Sequence, residues 1–93
     1  MDFEWDEAKA GSNERKHGVS FTEAMTAFAD PLSVTAFDPD HAVDEDRFLT
    51  MGMSLDGRLL LVSHADRGNL IRIISAREAT RRERRDYEDG TFP

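Results

Sequence analysis

His64 is the residue whose setting most invites a chemical reading. It ends the run Leu59-Leu60-Leu61-Val62-Ser63-His64, and strand parity groups its imidazole with Leu60 and Val62, a polar group closing an apolar face. Arg67 follows three residues later, and Arg72 lies on the strand that the turn Asp66-Arg67-Gly68-Asn69 folds back beside it. Seven arginines and no lysine fall between residues 67 and 85. A guanidinium is a rigid fork of donors that matches a phosphate. Cleaving an RNA phosphodiester without a metal requires deprotonation of the 2′-hydroxyl, stabilisation of charge on the pentavalent phosphate and protonation of the leaving oxygen. A histidine with convergent arginines supplies all three, so these groups are expected on one solvent-facing patch. The same residues also have plainer readings. A lone histidine at a strand end is commonly a hydrogen-bonded structural residue, and Arg72, between Leu70 and Ile74, is then neutralised by a carboxylate such as Glu45 or Glu83.

The charge distribution bears on which reading holds. The formal net charge of −7 argues at first against a polyanionic ligand. Yet residues 1–46 carry three basic and twelve acidic side chains, residues 47–66 two of each, and residues 67–85 seven arginines against two acids, before three more acids at the end. Lys16 and His17 stand at the C-terminal end of a helix, where offsetting the helix dipole is sufficient reason for them. Phe3 and Trp5 read as core or sheet cover rather than base-stacking platforms.

Other chemistries lose support. Without cysteine there are no disulfides, thiolate nucleophiles, zinc fingers or iron–sulfur ligands. The acidic loop with Asp38, Asp40, His41, Asp44, Glu45 and Asp46 fails as a calcium loop: Ala42 and Val43 occupy positions that need an oxygen ligand and a glycine, and no glutamate closes it. No metal and no cofactor are expected. Nucleophile-elbow, phosphate-loop, H-E-x-x-H and dinucleotide motifs are all missing from the sequence.

The elements that must position these residues are legible in outline. Ninety-three residues, 39% hydrophobic, fit one domain spanning 1–93. No stretch approaches the roughly 18 apolar residues of a membrane span, so a cytoplasmic protein is expected. Phe3 and Trp5 suggest a short edge strand; Asp6 caps a helix that runs to His17 and ends at Gly18. Ser20 and Glu23 match the S-x-x-E capping box of a second helix with the stripe Phe21, Ala24, Met25 and Phe28, stopped at Asp30-Pro31. The period then changes to alternation, giving four antiparallel strands marked by Leu32 to Ala36, Leu49 to Met53, Leu59 to His64 and Leu70 to Ser75. A second S-x-x-E, Ser75 to Glu78, predicts a last helix from about Ala76 to Glu88 that buries little by itself. The class is therefore α+β.

Several longer blocks are more distinctive. FEWDEAKAGSNERKHGVSFTEA, ADP, D-P-D-H with E-x-R, GRLLLVSHADRG and IRIISAREATRRERRDYE together closely resemble the BrnT family of type II toxins, over residues 3 to about 88. The resemblance implies a RelE/ParE-like fold and a ribonuclease toxin that inhibits translation by cutting RNA. It also implies a hetero-oligomer with a BrnA-type antitoxin whose ribbon-helix-helix domain, rather than this chain, contacts operator DNA. On the positions that match, His64 is the expected general acid or base, with Arg67, Arg72 and Arg77 on the scissile phosphate and Lys16 and His17 as secondary RNA-binding residues. Arg81, Arg84 and Arg85 would position the RNA backbone or meet the antitoxin. An inactive relative serving only as an antitoxin-binding co-repressor, and a ParE-like gyrase inhibitor, are the competing readings.

Overall fold

The computed structural model describes residues 1–38, 40 and 45–92. His41, Ala42, Val43 and Asp44 of the acidic loop lie outside the described residues. In chain order the elements are β1 (Asp2–Glu4), α1 (Glu7–His17), α2 (Phe21–Ala27), β2 (Val34–Phe37), β3 (Arg47–Met53), β4 (Leu59–Arg67), β5 (Leu70–Glu78) and α3 (Arg81–Glu88). The strands form one sheet in the order β1-β5-β4-β3-β2. The expected four-stranded antiparallel sheet is present, and β1 extends it by pairing parallel to β5, Phe3 opposite Ile71. The fold is α+β.

Local signals explain the helices. Asp6 accepts from the amides of Ala8 and Lys9 at the start of α1, and Gly18 ends that helix with a φ of 70°, a left-handed turn that a side chain would strain. Ser20 caps α2 through the Glu23 amide. The reciprocal half of that capping box is not made, because the Glu23 carboxylate turns instead to Arg58 and to the Ser54 hydroxyl, 2.8 Å away. Hydrogen bonding from Arg58 holds Glu23 below the ordinary carboxylate range.

The last helix begins later than the sequence suggested. Ser75 does not cap it, since Ala76, Arg77 and Glu78 stay in β5, opposite Val62, Leu61 and Leu60. The helix is capped five residues on by Thr80, whose hydroxyl accepts from the Glu83 amide while the Glu83 carboxylate accepts from the Thr80 amide. Nonlocal pairing with β4 overrode a local pattern that fits both sites equally.

The main core lies between one sheet face and α1 and α2. It gathers Val19, Phe21, Ala24 and Ala27 from the helical layer with Leu60, Val62, Ile71, Ile73 and Ala76 from the sheet. Each large side chain buried there contributes roughly 1.5–3 kcal/mol. Phe3 and Trp5 cover its margin, against Phe28 and Phe21 respectively. On the opposite face a smaller cluster of Met51, Leu59 and Leu61 sits under Ala79, Tyr87 and Phe92. No residue of α3 is fully buried, and the rest of this second face is left open.

Candidate ribonuclease site on the open sheet face

His64 and the arginines are on different sides of the sheet. The imidazole faces the helical layer, stacked on Phe48 and met edge-on by Phe28, with 2% of the residue exposed. Its Nδ1 lies 2.9 Å from Asp66 Oδ1 and its Nε2 2.7 Å from Thr50 Oγ1. An ionised carboxylate only accepts, so Nδ1 carries the proton and donates to Asp66, leaving Nε2 to accept from the Thr50 hydroxyl. The Thr50 oxygen in turn lies 2.7 Å from Thr35 Oγ1. Burial pushes the His64 pKa below its ordinary value despite the nearby carboxylate, which opposes the shift. The ring is thus neutral, satisfied and remote from solvent. The expected convergence of His64 with Arg67, Arg72 and Arg77 does not occur, and parity with Leu60 and Val62 is the reason: the face it shares with them is the one the helices cover.

Arg72 lies between Ile71 and Ile73, which both enter the main core, so alternation turns its guanidinium to the open face. Arg77, an odd number of residues along the same strand, would then be expected on the helical side. A β-bulge prevents this. His64 pairs with Ile73 and Ser63 with Ser75, so Ile74 is an extra residue without an opposite number. Ile74 and Ser75 both line the open face, and Arg77 rejoins the side occupied by Arg72.

The result is a cleft of about 430 Å³. Its floor is Leu49, Leu61, Ser63, Ile74 and Ser75; Arg47, Asp38 and Asp40 border it, as do Arg77 and Glu83. Beside it runs one ladder row: Arg47 on β3 opposite Ala65 on β4, Ala65 opposite Arg72 on β5, and Arg72 opposite Glu4 on β1. Two guanidiniums therefore flank a methyl group. Neighbouring strands stand about 4.8 Å apart, so these two side chains rise from points roughly 10 Å apart, with only Ala65 between them. Arg47 Nε is buried without a hydrogen-bond partner among the described residues, an uncommon state for a buried polar atom.

Carboxylates restrain the remaining arginines. Arg72 Nη1 is 3.5 Å from Glu4 Oε2, rather than joined to Glu45 or Glu83 as the plainer reading had it. Glu45 instead accepts from Arg67 at 3.1 Å. Glu83 takes Arg77 in a two-pronged pair of 2.7 and 2.8 Å, which lowers the Glu83 pKa to about 2. Arg81, Arg84 and Arg85 are exposed on α3, Arg84 lying 3.8 Å from Glu88. Lys16 and His17 are exposed on α1, outside the cleft.

Sequence reasoning did not single out Arg47, Ser63, Ala65 or Glu4. Arg47 shares strand parity with Leu49 and Met51 and was visible as a charge on an otherwise apolar face. Glu4 had no such signal, because its placement depends on the parallel pairing of β1.

Comparison with known proteins agrees with this architecture. The crystal structure of the Brucella abortus ribonuclease toxin BrnT superposes with a TM-score of 0.63, at 24% sequence identity, over 87% of this chain and 99% of that one. At that identity the likeness establishes the fold. No curated protein sequence matches the chain. The sequence model of the family described as "Ribonuclease toxin, BrnT, of type II toxin-antitoxin system" matches residues 5–83. That match spans most of the sheet and both N-terminal helices, and the chain belongs to the BrnT family of ribonuclease toxins of type II toxin–antitoxin systems.

Proposed function

We propose that the chain is an endoribonuclease that cuts RNA on the open sheet face without a metal ion and inhibits translation by doing so. The row Arg47, Ala65, Arg72, Glu4 carries this reading. Ala65 is 1% exposed and Arg47 Nε is buried, so a phosphate enters this row only as the two guanidiniums swing apart; seated over Ala65, it then meets one on each side and gives Arg47 Nε an acceptor. Arg72 exchanges its contact with Glu4 for the phosphate, and the released carboxylate takes the proton of the 2′-hydroxyl. The 2′-oxygen bonds to phosphorus, the bond to the 5′-oxygen breaks and that oxygen is protonated from solvent, leaving a 2′,3′-cyclic phosphate. Charge on the pentavalent phosphate is balanced by Arg47 and Arg72. Arg77, at the border of the cleft, and Arg67, two residues beyond Ala65 on β4 and outside the cleft, hold neighbouring phosphates.

The partner in this reading is a BrnA-type antitoxin, through whose ribbon-helix-helix domain the complex reaches operator DNA. Exposed Leu32, Phe37 and Leu55 and the arginines of α3 offer it apolar and cationic contacts. One observation favours a second reading, an inactive relative that only anchors the antitoxin: Arg67, Arg72 and Arg77 are each already paired with a carboxylate.

Expression of the chain alone separates the readings. The nuclease arrests growth, and the purified protein cuts RNA in the presence of EDTA. Arg47→Ala or Arg72→Ala then lowers kcat/KM by about 10²–10³-fold, as loss of a transition-state donor does. Harmless expression with tight antitoxin binding supports the inactive relative, and DNA breaks with intact RNA support a gyrase-directed toxin.

A further inference from the structure

We propose that single-stranded RNA continues from the cleft across β5 onto α1, where Lys9, Lys16 and His17 hold phosphates several nucleotides along the strand from the one being cut. This rests on the reading of the cleft given above and names a second subsite for the same substrate. A smaller hollow of about 220 Å³ is lined by Lys9, Ser12, Asn13, Lys16 and His17 together with Ile74 and Ser75. Ile74 and Ser75 also floor the main cleft, so the two hollows meet at the bulge.

The chain makes this passage by changing what covers the β5 edge. Strand β1 covers it from Leu70 to Arg72, and Asn13 of α1 takes over at Ala76. Ile74 and Ser75 lie between these two covers, where the bulge turns them toward the open face. On α1, residues 9, 12, 13, 16 and 17 are spaced three and four apart and so share one helix face. Neither Lys9 nor Lys16 makes an ion pair among the described residues. Two unpaired ammonium groups on an otherwise acidic half of the chain, in a hollow continuous with a phosphate site, suit further phosphates of the same strand. From β3 to the α1 face the path is roughly 20 Å, and a strand on the order of four nucleotides is the low end of single-strand site sizes.

Fluorescence anisotropy with labelled single-stranded RNA of three and of eight nucleotides tests this on the purified toxin and on a Lys9→Ala/Lys16→Ala variant. The octamer is expected to bind the variant roughly tenfold more weakly, and its salt slope to fall by about 1.4 for two lost phosphate contacts. The advantage of octamer over trimer shrinks by the same factor. An unchanged octamer affinity and salt slope overturns the second subsite, as does an equal loss for both lengths. Stronger binding of an acidic peptide than of the octamer, abolished by the same substitutions, also overturns it and assigns the hollow to a protein partner. Failure of the cleft reading itself looks different: Arg47→Ala leaves binding of both lengths unaltered, or the unsubstituted toxin binds neither.

Discussion

Asn13 and Ala76 are joined by hydrogen bonds running in both directions, although one belongs to a helix and the other to a strand. The Asn13 carboxamide donates to the Ala76 carbonyl at 2.8 Å and accepts from the Ala76 amide at 3.1 Å, and its Nδ2 also donates to the Val19 carbonyl at 3.0 Å. One buried side chain thus takes the place of a neighbouring strand at the β5 edge. Asn13→Ala leaves buried backbone groups unpaired and is expected to cost about 2–3 kcal/mol. Urea unfolding measures the loss. Asn13→Asp should be no better, because an ionised carboxylate accepts but cannot donate to the two carbonyls.

Gly52 is required by space, not by backbone conformation. A methyl group there would lie 2.4 Å from the Ala27 carbonyl oxygen and 3.0 Å from Ser33 Cβ. Both neighbours are anchored, so Gly52→Ala should destabilise by about 1–3 kcal/mol. A melting temperature equal to that of the unsubstituted protein would show that α2 moves away freely.

His64 sets a pH dependence of stability. Its folded pKa is below the ordinary 6.5, so the unfolded chain binds the proton more readily. The stability this ring contributes is full above pH 6.5 and is lost as the pH falls from there through the folded pKa. Denaturant titrations between pH 7 and 5 should show the decline, and His64→Gln should remove it. The same variant checks the buried placement against a catalytic role: RNA cleavage per folded molecule is expected to stay within a few-fold, and its abolition in a well-folded variant would return the imidazole to the chemistry.

Glu83 acts in a separate, more acidic window. Arg77 holds its pKa at about 2 against an ordinary 4.5, so its stabilising effect is complete above 4.5 and fades as the pH drops through 2. Both partners are partly exposed, which limits the effect to about 1–2 kcal/mol after screening. Glu83→Gln keeps a group able to accept from the Thr80 amide but loses the charge. It should flatten the acid unfolding curve in that window and speed amide exchange in α3.

Much of this architecture was readable in advance, and the misses share a cause. Asp6, Gly18 and Ser20 punctuate their helices through contacts within a few residues, and Gly57 and Gly68 turn the hairpins with φ of 84° and 64°. Everything that failed required a partner distant in sequence. Ser75 and Thr80 both offer the same cap pattern, and only the ladder with β4 decides between them. The alternation that grouped His64 with Leu60 and Val62 was correct, but which face the helices would cover was not written in the strand itself. Arg72 and Arg77 share a face only because of Ile74, and Glu4 reaches Arg72 only because β1 enters the sheet in parallel.

The unmatched Ile74 makes β5 unequal in its response to a change in chain length. Removing that single residue would restore strict alternation while leaving Ala76 inward and Arg77 outward, because every pair on either side of it is already in register. Removing a residue from the regular run of β4 has the opposite effect, since each side chain beyond the cut would change faces. A one-codon deletion at Ile74 is therefore predicted to lower the melting temperature far less than a one-codon deletion at Val62. Shortening in this family should be tolerated at the half-turn where the strand carries a residue to spare.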